Sequence, residues 1–145
     1  MNDVWGRRFF TAGTLLLLLI GLVHAFSLLG TPTPANDTEK QLFSLMRDYH
    51  FNLMGSSRSM NDLMRGFSMA FMFAAFGFGI FDLVLRKVST ELLKRVALVN
   101  ILWLVAMMLL SLRYFFAVPT SFLATTLILF ALAWFKLPAR AAEPS

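Results

Sequence analysis

A chain of 145 residues with 58% apolar and only 14% charged side chains is too short for two ordinary domains and too apolar for a typical soluble one. It contains no Cys, which excludes thiolate catalysis, disulfide exchange, Cys-ligated zinc and iron–sulfur clusters carried by this chain alone. Its net charge of +5 would raise nucleic-acid binding in a soluble protein, but the placement of the basic residues gives that charge another meaning. Eight of the thirteen, Arg7, Arg8, Arg86, Lys87, Lys94, Arg95, Lys136 and Arg140, flank one set of expected helix ends. Lys40, Arg47, Arg58, Arg65 and Arg113 share the opposite side with Asp37, Glu39, Asp48 and Asp62. The positive-inside rule then predicts both termini in the cytoplasm, and no nucleic-acid partner is expected.

The first apolar run, from Phe9 to about Leu29, follows Trp5-Gly6-Arg7-Arg8 and is long enough to cross a bilayer core of roughly 30 Å. The Arg pair, the leucine run and Val23-His24-Ala25 also fit a secretory signal. The apolar stretch outlasts a signal core of roughly 7–15 residues, so the segment is expected to stay as a membrane helix. Gly30-Thr31-Pro32-Thr33-Pro34 ends it. An outer loop follows, in which Thr38-Glu39-Lys40-Gln41 matches a capping box. Leu42, Leu45, Met46, Tyr49 and Leu53 then recur at helical spacing, with Phe43 and Phe51 breaking the pattern. They predict an amphipathic helix at the outer surface or folded over the bundle.

Gly55-Ser56-Ser57-Arg58-Ser59 reads as a turn, and the second long helix runs from Met60 to Leu85, with its membrane span at about 64–85. Gly66, Ala70 and Ala74, and likewise Ala75 and Gly79, repeat every four residues and allow a neighbouring helix to approach closely. Asp82 lies one turn before Arg86, a spacing that allows an ion pair. The third span covers about 96–116, or starts from Thr90 if the basic loop is partly helical, and Asn100 is its candidate for a buried amide. Pro119 is expected to stop it. Thr120 or Ser121 can cap a fourth span over about 121–137, and 138–145 reads as a mobile tail.

No phosphate-binding loop, His-Glu-x-x-His or Gly-x-Ser-x-Gly occurs, so no catalytic residue and no metal ligand is named, and an enzymatic activity is neither supported nor assigned. What remains is a shared depth. His24, Ser68, Ser111, Arg113, Thr125 and Thr126 fall within a slab of roughly 10 Å near the outer ends of four antiparallel helices, with Asp62 and Arg65 just above and Tyr114 at the interface. Inward-facing ionisable groups in such a place mark a site or a water-filled cavity. The plainer alternative is that Arg113 snorkels to the outer headgroups and His24 bonds a neighbouring helix.

Gly66-Phe67-Ser68 at the start of the second span, and Leu112-Arg113-Tyr114-Phe115-Phe116 before Pro119, give the chain a layout that resembles a group of small bacterial four-helix integral membrane proteins of uncharacterised activity. The resemblance implies a membrane location, in a bacterial inner membrane, and no particular chemistry.

The expectation is therefore an all-α, four-transmembrane-helix bundle, a single membrane domain over 1–137 with an amphipathic helix in its first outer loop. The expected ligand is an anionic or amphiphilic small molecule, or a membrane lipid, in the outer polar layer. Arg113, Arg65, His24, Asp62, Ser68 and Tyr114 are the candidate contacts. An alternative is an accessory or scaffold subunit that binds another membrane protein, or a second copy of the chain, through its small-residue faces. No cofactor is assigned. Haem held by His24 and His50 is the redox variant, and a proton-coupled exporter is disfavoured because no carboxylate lies mid-helix.

Overall fold

The computed structural model describes residues 2–30 and 32–138. In chain order these form α1 (Asn2–Ser27), α2 (Asp37–Asp48), β1 (His50–Leu53), β2 (Ser56–Ser59), α3 (Met60–Leu85), α4 (Thr90–Tyr114) and α5 (Ala117–Lys136). Residues 139–145, Arg140 and nearly all of the expected tail among them, lie outside the described part. α1, α3, α4 and α5 are each long and apolar enough to cross a membrane. Their outward faces carry Leu15, Leu19, Phe73, Ile80, Leu102, Leu109 and Ile128, all exposed. A soluble protein seldom leaves so much apolar surface uncovered, whereas lipid covers it without penalty.

Every spanning helix starts earlier than its apolar run. α1 begins at Asn2 rather than near Phe9 and α5 at Ala117 rather than 121, whereas α3 begins at Met60 as the sequence indicates, ahead of its span from about 64, and α4 takes the earlier of its two expected starts, Thr90. Hydropathy marks the length that lipid can cover; at α3 and α4 the polar first turns are kept helical by caps. At α3 the Ser59 N–H donates to Asp62 Oδ2 (2.9 Å) while Asp62 N–H donates to Ser59 Oγ (3.2 Å), a reciprocal capping box. At α4 the Ser89 hydroxyl oxygen accepts from Leu92 N–H (3.4 Å). Pro119 does not lie between helices but in the first turn of α5, where the missing N–H costs nothing. Thr120 and Ser121 consequently do not cap it. Their hydroxyls donate to the carbonyls of Phe116 (2.9 Å) and Val118 (2.8 Å).

The chain divides into two compact units, Gly21–Ala74 and the residues on either side of it. In the larger one, Phe10, Leu93, Val96, Ala97, Leu104, Leu123, Phe130, Ala133 and Leu137 form the core. Phe10 meets Phe130 edge-on, with ring centroids 5.4 Å apart. α1 approaches α5 closely because two of its residues, two turns apart, have no side chain. A Cβ on Gly6 would stand 2.8 Å from the Leu137 side chain and 3.0 Å from its backbone nitrogen, and one on Gly13 would stand 3.1 Å from the Phe130 ring. The expected close approach at Gly79 also exists, and its partner is α1: a Cβ there would lie 2.5 Å from Leu18. α4 and α5 are joined by Ser111, buried, whose hydroxyl lies 2.7 Å from that of Thr120.

The same unit contains a polar clasp. Arg7 pairs with Asp3 one turn earlier (3.3 Å) and donates to the carbonyls of Arg86 (3.1 Å) and Val88 (3.0 Å) and to the Thr90 hydroxyl (3.1 Å). Thr90 in turn donates to Asp3 Oδ1 (3.0 Å). Two carbonyls of the short connection between α3 and α4 are thus satisfied by a guanidinium from α1. Nearby, Lys94 donates to the Leu137 carbonyl (2.9 Å) and lies 4.9 Å from the centre of the Trp134 ring.

In the smaller unit, α2 buries none of its residues. Its cap is Asn36, not Thr38: the Asn36 side chain accepts from Glu39 N–H (2.9 Å), and Glu39 reaches back to Ala35 N–H (2.7 Å). The box thus sits two residues earlier than expected, because Asn caps better than Thr and this start puts Asp37 and Glu39 in the first turn. The helical pattern ends at Asp48 instead of continuing to Leu53. A hairpin follows, pairing His50 with Ser59 through Leu53 with Ser56. Met54 and Gly55 form its turn with φ of 48° and 88°, both left-handed, as a two-residue hairpin turn requires. The Asn52 side chain accepts from Gly55 N–H (2.8 Å).

Candidate functional site

Arg113 lies in the last turn of α4, where a cation complements the helix dipole. It is exposed, its guanidinium 5.6 Å from the centre of the neighbouring Tyr114 ring, and no ion pair to it is found among the described residues. Leu112, Tyr114, Phe115 and Phe116 are all exposed around it. From Val96 to Leu112 the helix carries no other charge. This is a lone cation at the end of an apolar rod, ringed by side chains that suit an interface.

The hydroxyls expected at the same depth are occupied. Thr125 and Thr126 donate to the carbonyls of Ser121 (2.9 Å) and Phe122 (2.8 Å), and Ser111 bonds Thr120. Ser and Thr in membrane helices commonly return their proton to the preceding turn, so Thr125 and Thr126 serve the helix that carries them, while Ser111 serves the α4–α5 contact.

The remaining candidates belong to the smaller unit. Asp62 is committed to the Ser59 cap. Arg65 is exposed and Ser68 half-buried on α3. His24 packs its ring edge-on against Phe71, centroids 5.1 Å apart, with Nε2 buried and without a hydrogen-bond partner. His50 is exposed and its Nδ1 lies 3.0 Å from the Asp48 carbonyl. No cluster of three metal-ligating side chains occurs among the described residues. A shallow surface depression on α2, lined by Gln41, Ser44, Leu45 and Asp48, includes none of the candidates.

Asp82 does not pair with Arg86. It is fully buried, and Asn100 Nδ2 donates to its Oδ1 (3.0 Å) and to the Val96 carbonyl (3.1 Å). Arg86 points outward and is exposed. Helical spacing permits the ion pair, but Asp82 shares the inward face of α3 with Ala75 and Gly79, and burial follows the face. Asn100 is buried as expected. The signal in the sequence is a pair of polar residues, each alone in an apolar stretch, on two consecutive helices joined by a short connection.

Four helices long and apolar enough to cross a membrane, with a short α–β element between the first two, define the class, an all-α membrane-type helical bundle. Compared with protein-family models, curated proteins and solved structures, the chain matches none.

Proposed function

We propose that the protein binds the anionic headgroup of a membrane amphiphile at the exposed end of α4, with Arg113 as the cationic contact and Tyr114 beside it. The observation that carries this reading is the unpaired, exposed guanidinium among Leu112, Tyr114, Phe115 and Phe116. A planar fork of donors matches a phosphate, and apolar neighbours match the acyl chains below it. Arg65 and His24 are separate contacts of the smaller unit in this proposal.

In the same reading the protein belongs in a bacterial inner membrane with both termini cytoplasmic. Supporting this, the clasp of Arg7 and the bond of Lys94 to Leu137 gather the basic beginnings and ends of the helices. The test is native mass spectrometry of gently extracted protein. An acidic phospholipid should be retained by wild type, weakened by Arg113→Lys and lost with Arg113→Ala; equal retention in all three forms removes the proposal.

A scaffold role is the second reading, favoured by one observation. Gly77 has nothing within 4 Å of where a Cβ would stand, and Phe73, Ile80, Phe81 and Val84 are exposed on the same helix. Gly77→Leu should then release a stoichiometric partner protein without unfolding the chain, whereas unchanged recovery of that partner rejects this role.

A further inference from the structure

The most demanding pair of groups in the molecule is Asp82 with Asn100. Both side chains are shielded from solvent, at 0% and 1% exposure. Asn100 uses its amide nitrogen on Asp82 Oδ1 and on the Val96 carbonyl. That leaves Asp82 Oδ2 and Asn100 Oδ1 buried without a partner. If Asp82 is ionised, both of these atoms can only accept, and a bare negative charge sits among apolar helices.

Among the described residues, no surrounding element supplies a cation. On α1, the contacts of Leu18 with Gly79 and of Arg7 with the Arg86 carbonyl set a register that brings Thr14 to the level of Asp82. Thr14 spends its proton on the Phe10 carbonyl. Arg7 is engaged by Asp3, Arg86, Val88 and Thr90. On α3 and its connection, Arg86 and Lys87 are exposed. On α4, Lys94 bonds the Leu137 carbonyl and Glu91 bonds Arg95; on α5, Lys136 is exposed. One turn further along α3 and α4, Phe78 and Trp103 stack with centroids 4.8 Å apart, an apolar cover over the pair.

We infer that Asp82 and Asn100 form a proton-binding site: the folded protein holds Asp82 as the neutral acid, with its proton on Oδ2 and its Oδ1 fixed by the Asn100 amide. A proton turns an acceptor with no donor into a donor and removes the charge at once, which a water molecule alone cannot do. Release breaks the O–H bond, leaves its electron pair on the carboxylate and passes the proton to water. The resulting anion requires hydration, so release loosens the contact between α3 and α4 at this level.

Infrared spectroscopy of the reconstituted protein tests this. At neutral pH the wild type should show the carbonyl stretch of one protonated carboxyl group, absent in Asp82→Asn and shifted in Asn100→Leu, which removes the amide donor. If Asp82→Asn does not fold, Asp82→Glu keeps the acid, and a change in the band's frequency assigns it. A wild-type spectrum without the band at neutral pH overturns the inference, as does a band that persists in Asp82→Asn. So does its loss when sodium replaces choline in the buffer, which would make the ligand a metal cation.

Discussion

At the scale of single residues, the glycines of this chain differ sharply in what they do. Gly6 stands against both the side chain and the backbone nitrogen of Leu137, so a methyl group there has nowhere to go. Gly6→Ala should destabilise the detergent-solubilised protein by about 1–3 kcal/mol, the usual cost of overpacking. Gly77→Ala, in open space on a helix, should be neutral or stabilising by up to about 1 kcal/mol. Thermal unfolding of the two variants side by side checks the contrast, and equal midpoints would mean that α1 and α5 are not in this contact. The sequence alone directs attention to Gly66 and Gly79 through their four-residue repeats, and only Gly79 is tightly packed; Gly66 has nothing within 4 Å. Gly6 and Gly13 escape notice because their repeat is seven and one of them lies among polar residues. Asp82 is misjudged for a related reason. Its spacing to Arg86 is visible in one dimension, while the face it occupies depends on which neighbours α3 has.

At the scale of elements, the polar ends are what the apolar pattern fails to describe. The four spans are legible from length and hydropathy because lipid imposes both. Their first turns, the capping box at Asn36 and the hairpin after α2 depend on local hydrogen bonds that hydropathy does not record. Phe43 and Phe51 are both out of step with the helical pattern, yet Phe43 stays in α2, so that pattern does not mark the change to strand geometry at His50.

The clasp is the clearest test at this scale. Arg7→Ala removes donors from the Arg86 and Val88 carbonyls and from Thr90, and should cost about 2 kcal/mol; Arg7→Lys should recover only part, since an ammonium cannot span those acceptors as a fork does. Denaturant unfolding of the two variants reads the difference. α2 carries a smaller effect that depends on pH. The Arg47 guanidinium (2.8 Å) and then the Ser44 hydroxyl (2.8 Å) hold the Asp48 carboxyl below its usual range. A lowered value in the folded state means that the bond supports the helix end above the ordinary carboxylate range and is lost as pH falls through the lowered value. The pair is fully exposed, so the effect is local. The protection of the amides at residues 44–49, taken relative to their intrinsic exchange rates at each pH, should fall on acidification, and Arg47→Gln should flatten that dependence.

At the scale of the whole molecule, the proposed orientation is open to direct measurement because the chain has no Cys of its own. A cysteine at Ser57, exposed on β2, should react with an impermeant thiol reagent in intact cells. One at Lys87, exposed beside the clasp and sparing the Ser89 cap of α4, should react only after the cells are opened. The reverse pattern would turn the Arg113 end toward the cytoplasm and require a different lipid leaflet for its ligand.

The clasp also orders events in time. Arg7 and Thr90 are 83 residues apart in the chain, so at a synthesis rate of roughly 5–20 residues per second the first helix waits several seconds before its partner exists. Leu137, which Gly6 contacts, arrives later still. For that interval α1 has a guanidinium with Asp3 as its one partner from the clasp and two bare glycine notches, one of them at its polar end. A translation pause between α3 and α5 would lengthen the exposure, making the nascent chain, not the finished bundle, the form most vulnerable to quality-control proteases.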